Sequence, residues 1–517
     1  MIISLSVLVI TIIVSGTYAL YKAQLSKNIG VNTTTHGLAY YINYVKGTDI
    51  TAATLNPSTS YEGGASSDIE FWKKDDSYDI YGKIELTVNT IGTNLSNSPA
   101  LKYAVVNNGN VLKEGSLKGT TSGSKVTILK NLYLEQTKQI YTVYVWLDNS
   151  EELGNISNES LSISVDCTAS LQKEPTAADT IISLYTSAAK VTATNNSITY
   201  NTAPSVSLMN DRLGGTTTDL DGGNIRYYGA NPNNYIYFNC SDYSNQTSST
   251  CETWRIIGVF DGKLKLIKGS QIGTYSWDNK NTSTGAENNS GKNDWTTARL
   301  MKLLNPVDYY INDNNDKDSE GNYLGYSLYY NSTSGKCYSG KNNATVDCDF
   351  TSTGIKNDET RNMIAETTYN LGGWNTFTVY PNEIYEYERG TTVYTGRTTT
   401  PWTGKIALAY PSDYGYAADL NQCVNKQLNK YNDSTCTSNN WMKSIITNNG
   451  SNDGWLLTPH SNYSYIAWGV ILSGIMGGNH AYYSSYGSAP VLYLSSELGI
   501  ESGVGDGSSS NPYKLSA

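Results

Sequence analysis

Glu383, Glu386 and Glu388 stand just before Arg389 in the string NEIYEYERG. Two carboxyl groups about 5–10 Å apart can serve as acid and base in glycoside cleavage. In an extended segment, however, neighbouring side chains point to opposite faces, and Arg389 offers these carboxylates an ion-pair partner. They read as a salt-bridged group. His460 follows Pro459 and His480 follows Asn479, neither beside a Ser or Cys nucleophile motif. No Gly-x-Ser-x-Gly elbow or phosphate-cradling loop occurs. The residues therefore point away from an enzyme, and no catalytic residue is assigned.

A second chemistry is metal binding. Asp313, Asp316, Asp318 and Glu320 fall in DNNDKDSEG, where Gly321 permits a sharp turn. Hard oxygen ligands two residues apart can wrap calcium. Counting from Asp316, the twelfth position is Ser327, where a bidentate Glu is wanted, so a solvated loop is the favoured reading and calcium the alternative. No other cofactor is expected.

Cysteine is the third. Cys240 and Cys251, Cys337 and Cys348, and Cys423 and Cys436 form pairs at short, similar separations in Ser/Thr/Asn-rich loops. Zinc would compete, but there is no Cys-x-x-Cys and the only histidines are His36, His460 and His480. Disulfides are the favoured use, and they need an oxidising compartment. Cys167 is left over as a buried or free thiol.

The stretch NYSYIAWGVILSGIMGGNHAYYSSYG offers binding instead of bond chemistry. Trp468, Val470 and Leu472 read as core, as does Trp455 in GWLLTP. Asn462, Tyr463, Tyr465, Asn479, His480, Tyr482, Tyr483 and Tyr486 are the candidate ligand-binding residues. Rigid amphipathic rings among Ser, Gly and Asn give contact area at low entropy cost.

Elements must position these residues. Ile80, Ile84, Leu86 and Val88 alternate with polar residues, as in a half-buried strand. Asn107 to Asn110 marks a hairpin between Leu101–Val106 and Val111–Leu112. IYTVYVWL (140–147) reads as a central strand and Leu161, Ile163 and Val165 as another. Residues 28–170 thus form an all-β sandwich. Glu174-Pro175 opens a helix over Thr176–Lys190 with Ile181, Leu184, Tyr185 and Ala188 on one face. Residues 171–204 are this helix and a polar linker. In residues 205–517, Trp254–Phe260 and Lys263–Ile267 flank an Asp261-Gly262 turn. Helices are expected over Asp294–Asn305 and Asn357–Leu371, with a short third over Trp441–Ile446. The fold class is α+β overall, a β-sandwich followed by an α+β domain with an antiparallel sheet.

At 517 residues, with 16% charged against a typical value of roughly 25%, the chain is poor in ions. It holds 43 Tyr and a net charge of −10 with no Lys/Arg run, which argues against nucleic acid and anionic lipid surfaces. The first 21 residues are uncharged and end in small residues, with a cleavage-like site after Ala19. Residues 1–27 read as a signal peptide or membrane anchor, which places the remainder outside the cell or on its surface. Membrane contact is expected through this segment alone.

The leader ending Ser-Gly-Thr-Tyr-Ala and the domain finishing in YTVYVWLD resemble exported biofilm-fibre and camelysin-type sandwich proteins of Gram-positive bacteria. TWRIIGVFDG, NDWTTARLMKLLN, GKIALAYPSDYGYA, GWLLTPH and SAPVLYLSSELGI, followed by GDGSSSNPYKL, resemble a bacterial domain of unknown function. That domain is similar to the C-type-lectin-like fold of the formylglycine-generating-enzyme type. The resemblance implies a ligand surface before the final strand, at about Asn462 to Tyr486. It does not carry over oxidase activity, because no cysteine follows Cys436. Nor does it carry over calcium-dependent sugar binding, because Tyr380-Pro381-Asn382 lacks the leading carboxylate or amide.

The expected function is a cell-surface or secreted protein that binds an extracellular protein or glycan, as an adhesin or variable receptor does. The structural alternative is a self-assembling fibre subunit, with Gly37–Val45 donating a strand to a neighbour. A carbohydrate-active enzyme using Glu383 or Glu386 is the third reading.

Overall fold

In the strand Tyr81–Ile91, Ile84, Leu86 and Val88 are fully buried while Lys83, Glu85 and Thr87 stay half-buried, as period-two patterning dictates. The computed structural model describes residues 23–25, 38–51, 55–151, 153–156, 158–213, 223–278, 291–310, 317, 320, 321, 323–337, 346–397, 401–501 and 503–516. The chain divides into two units, Met1–Glu174 and Pro175–Ala517. Residues 1–27, the expected leader, lie outside the described residues except for Ala23–Leu25, which pairs antiparallel with Leu161–Ser170. Among the described residues no helix is long and apolar enough to cross a membrane.

The first unit is a β-sandwich. One sheet runs Ala23–Leu25, Leu161–Ser170, Tyr81–Ile91, Lys125–Tyr133, with Ile50–Thr51 also on Leu161–Ser170. The other runs Ile42–Val45, Ala65–Lys73, Ile140–Asp148, Leu101–Asn107, Asn110–Ser116, with Pro57–Ser58 on Ile140–Asp148. Ile69, Phe71, Val143 and Val145 of the second sheet meet Ile84, Leu86, Ile163 and Val165 of the first in one core. Ile140–Asp148 is central, paired on both sides. The hairpin turn is Asn108-Gly109, both at positive φ, as the twist-matched two-residue turn requires. Ile42–Val45 is not loose: it pairs with Ala65–Lys73 of its own unit. Cys167 is buried, and desolvation pushes its thiol well above the usual range.

The second unit opens with the helix Ala177–Ser187, capped by Thr176 and Asp179 in a reciprocal box. Its buried Ala177, Ala178, Ile181 and Tyr185 pack against strands of a nine-stranded sheet. That sheet runs Val191–Asn195, Ile198–Ala203, Leu208–Asn210, Ile225–Tyr227, Glu252–Phe260, Lys263–Lys268, Val491–Tyr493, Ile406–Ala407. Tyr235–Phe238 adds to Glu252–Phe260, and all these pairings are antiparallel. The Asp261-Gly262 turn, with φ of 47° and 71°, sets Phe260 opposite Lys263. The architecture is α+β and dominated by strands.

Residues 191–204 are not a linker. Val191–Asn195 and Ile198–Ala203 form a hairpin around Asn196 and Ser197, both at positive φ, and Ala193, Asn195, Tyr200 and Thr202 face inward. Two helices are shorter than their periodicity suggests. Asp294 accepts from the Thr296 N–H and starts a 3₁₀ turn, Trp295–Thr297, and only Arg299–Leu304 is α-helical. Asn357 caps Asp358–Met363, after which the chain leaves the helix so that the Ala365 N–H can donate to the Tyr493 carbonyl. Trp441–Ile446 is a helix as expected.

Cys240–Cys251, Cys337–Cys348 and Cys423–Cys436 are disulfides. Closing an 11-residue loop constrains the unfolded chain by about 3 kcal/mol. Labelling the unfolded chain without reductant is expected to report one thiol, that of Cys167, and seven after reduction. Three or more thiols before reduction would contradict this pairing.

Candidate functional site

The strands Gly454–Pro459, Ile466–Val470 and Met476–His480 form an antiparallel sheet in the second unit. Its register sets Ile466 opposite His480 and Trp468 opposite Gly478. A Cβ at Gly478 would lie 2.7 Å from both the Phe377 ring and the Ala467 carbonyl oxygen. Glycine there lets Phe377 pack edge-on against the buried Trp468, with centroids 4.7 Å apart. Trp455 is core as well, and its Nε1–H donates to the Tyr275 carbonyl at 2.8 Å.

At the end of this sheet the rings of the expected ligand face come together. Centroid distances are 5.8 Å for Tyr463 to Tyr465 and 4.7 Å for Tyr465 to His480. His480 lies 5.8 Å from Tyr482 and 6.1 Å from Tyr483, and those two tyrosines stack at 4.8 Å. Tyr463 is 47% exposed and Tyr483 39%, while Tyr465, His480 and Tyr482 are half-buried. Asn462 is exposed and Asn479 half-buried beside them. Five of the eight expected ligand residues therefore share one run of ring contacts, while Asn479, opposite the buried Ala467, donates its amide to the Tyr486 hydroxyl at 3.5 Å.

Tyr486 is the correction. It is 3% exposed and stacks on Trp455 at 4.2 Å. The backbone turns inward at Gly487, whose N–H donates to the Asp453 carbonyl, and carries Tyr486 over Gly469 into the core. Burial pushes its phenol up to about 12.

The strip is mounted on fixed backbone. Asn293, 2% exposed, places Nδ2 at 3.0, 2.8 and 2.7 Å from the carbonyls of His460, Tyr463 and Ile466. Its Oδ1 accepts from Arg397 Nε at 2.8 Å, and Arg397 also donates to the Ser464 carbonyl. The Ala481 N–H donates to the Tyr465 carbonyl at 2.7 Å, and the Ser276 hydroxyl to the Tyr482 carbonyl at 2.8 Å. Asn293, Arg397 and Ser276 were not foreseen, and nothing local in the sequence marks them. The rings thus offer flat apolar faces and hydroxyls with little left to order on binding.

Other expected sites fare differently. Asp313, Asp316 and Asp318 lie outside the described residues; Glu320 is exposed. Among the described residues no group of three or more His, Cys, Asp or Glu is placed to hold a metal. NEIYEYER is not extended but the helix Pro381–Arg389, with Pro at its first turn. Glu383 accepts the Tyr380 N–H at 2.9 Å as its cap, and Glu386 is exposed. Glu388 is fully buried and accepts from the Ser412 N–H and hydroxyl at 2.9 and 2.6 Å, with Arg389 at 3.5 Å. The ion pair is present, but the Pro-x-Glu capping signature was the better guide to conformation.

Glu388 adjoins a buried charge cluster. Arg226 donates from Nε to Asp211 at 2.5 Å and from Nη1 to Asp413 at 3.0 Å, and Lys265 pairs with the other oxygen of Asp413. All four side chains are at most 1% exposed. Burial alone would raise the Asp413 carboxyl, but Lys265 and Arg226 outweigh it and hold it below the usual range. The signal was in the sequence: Arg226 in IRYYG and Lys265 in KLKLIK are charges inside apolar strands covered on both faces.

Two other buried carboxyls shift the opposite way. Desolvation pushes Glu388 up to about 7, against Arg389 and Ser412, and Asp278 up to about 6, against Arg299. A carboxyl whose folded pKa is raised keeps its proton when the unfolded chain has lost it. Its contribution is present below the unfolded value and is lost as pH rises through the folded one. His460, pushed down by burial, works in the opposite direction, while Glu359, pushed up to about 7 by desolvation and by Asp242, stands exposed and adds little through screening water. The second unit is therefore expected to lose roughly 2–4 kcal/mol of stability between pH 5 and pH 8. Denaturant unfolding at both values checks it, and Glu388→Gln should flatten the slope; greater stability at pH 8 would contradict it.

The chain matches no protein-family model and no curated protein.

Proposed function

We propose that this chain is an exported, ligand-binding protein of the cell surface or surroundings, whose second unit holds a neutral glycan against the strip formed by Tyr463, Tyr465, His480, Tyr482 and Tyr483. The observation that carries the reading is the unbroken run of ring contacts at a surface, on backbone fixed by Asn293 and Arg397. Tyrosine supplies an apolar face with a polar tip at small entropy cost. No carboxylate or ammonium group belongs to the strip, and the chain's net charge of −10 disfavours polyanions. The uncharged leader and three disulfides support an extracellular setting. An array of neutral glycans, acidic glycans and extracellular proteins, probed with the leaderless chain, tests this. Capture of neutral glycans, unchanged by chelation of calcium, is the expected result; capture of proteins or acidic glycans alone would overturn it.

A further inference from the structure

Arg255, in the strand Glu252–Phe260, is a buried charge that meets only neutral oxygens. The side chain is 6% exposed. Its Nε donates to Asn234 Oδ1 and its Nη2 to the Pro232 carbonyl at 3.3 Å, and the Tyr235 hydroxyl lies beside it. Among the described residues no carboxylate reaches it. Arg226, Lys265, Lys268 and Arg299, buried about as deeply in the same unit, meet Asp413, Asp413, Glu252 and Asp278 in turn. Taking a cation out of water without an opposite charge is costly, and folded proteins ordinarily pair such groups. Desolvation pushes the Arg255 guanidinium down to about 10, which still leaves it charged at neutral pH.

The cation is held in position. Tyr235 lies opposite Arg255 on the adjoining strand with its ring centroid 3.7 Å from the guanidinium, and the Trp441 ring lies at 4.9 Å. Trp441 is fixed by its Nε1–H, which donates to the Tyr227 carbonyl at 3.0 Å, and the buried Asn234 by its amide, which donates to the Ile256 carbonyl at 2.8 Å. These rings offer a quadrupole and no net charge, so stacking recovers only part of the cost of burial. Nη1 makes no hydrogen bond of good geometry within the fold, yet it is not sealed as Arg226 Nη2 is, so it opens to solvent. A fixed, largely desolvated guanidinium with one open nitrogen suits an oxyanion, because charge-assisted hydrogen bonds gain strength where water is scarce.

We infer that the second unit binds a small oxyanion, a carboxylate, sulfate or phosphate group, on Arg255 beside the exposed Asn231 and Asn233, and that this anion supplies the charge the fold leaves out. Asp506 belongs to the loop whose Gly507 packs against Asn233, but it is exposed and its carboxylate accepts the Ser508 N–H at 2.9 Å. The chain's net charge of −10 disfavours polyanions, whereas a single small anion at one cation feels mainly its own site through screening salt. The inference shares no residue with the aromatic strip and does not rest on it.

Thermal unfolding of the full chain at neutral pH and constant ionic strength tests it, with sodium chloride replaced stepwise by sodium sulfate, phosphate or acetate up to about 20 mM. At least one of the three is expected to raise the melting temperature of the second unit by about 1–3 °C along a saturating curve, as binding to the folded state alone requires. General stabilisation by excluded salts grows without saturating, which separates the two. Arg255→Gln should abolish the rise. Arg255→Lys keeps the charge beside the rings, which secures a folded comparison, and should weaken binding at least about threefold because an ammonium presents no planar edge. No saturating rise with any of the three anions, or the same rise in both variants as in the unsubstituted chain, would overturn the inference.

Discussion

Replacing Arg226 with methionine is expected to destabilise the second unit by about 3–5 kcal/mol, the largest single effect anticipated in this protein. The arginine is 1% exposed and bonds both Asp211 and Asp413. Removing it strands Asp211 in the interior and leaves Asp413 with Lys265 alone. Asp211 has further donors, the N–H groups of Leu213 and Asn224 and the Asn224 amide, at 3.0, 2.8 and 3.0 Å, which solvate it but do not neutralise it. The guanidinium also sits 4.6 and 4.8 Å from the ring centroids of Phe260 and Tyr416, so a cation–π contribution goes with it. Adding Asp211→Asn should recover part of the loss, because the amide accepts hydrogen bonds without carrying a charge. Urea unfolding of single and double variants measures both. A loss under about 1 kcal/mol, or no recovery in the double variant, would show that water reaches the cluster.

The second large effect concerns binding. Tyr482→Ala with Tyr483→Ala is expected to weaken glycan binding by about 2–4 kcal/mol, roughly 30-fold or more, with little change in folding stability. The two rings stack on each other at 4.8 Å and Tyr483 is 39% exposed, so their removal opens no core cavity. Tyr486→Phe should leave affinity nearly unchanged, since that ring lies in the core against Trp455. Tyr78→Ala, an exposed tyrosine of the first unit, is the control for loss of any surface ring. Equal losses in Tyr78→Ala and in the strip variant would show that the strip has no special role.

What the sequence made legible was local. Turns at Asn108-Gly109 and Asp261-Gly262 fix hairpin registers by backbone sign alone, and alternation at Ile84, Leu86 and Val88 names a buried face. Short cysteine separations pointed to the correct partners. What failed was set by distant partners. Val191–Asn195 and Ile198–Ala203 look polar and irregular because Ala193, Tyr200 and Ala203 are their only buried apolar residues, and the strand that completes their pairing, Leu208–Asn210, comes later. The helix after Asn357 ends early because the strand Val491–Tyr493 claims the Ala365 amide, a pull no local propensity encodes. The strip was legible as a composition of tyrosines and small residues, yet that composition also included Tyr486, which the turn at Gly487 buries. Arg226 and Lys265 were visible as charges inside apolar strands, but Asp413, which both of them meet, comes from a segment far along the chain, so only the fold reveals the cluster.

The central claim is that the aromatic strip is where the ligand sits. Hydroxyl-radical footprinting of the full chain, with and without the tightest-binding neutral glycan, tests it most directly. Side-chain oxidation at Tyr463, Tyr465, His480, Tyr482 and Tyr483 is expected to fall together on binding, while Tyr78 stays unchanged. Unaltered oxidation across those five residues, with protection appearing elsewhere on either unit, would contradict it.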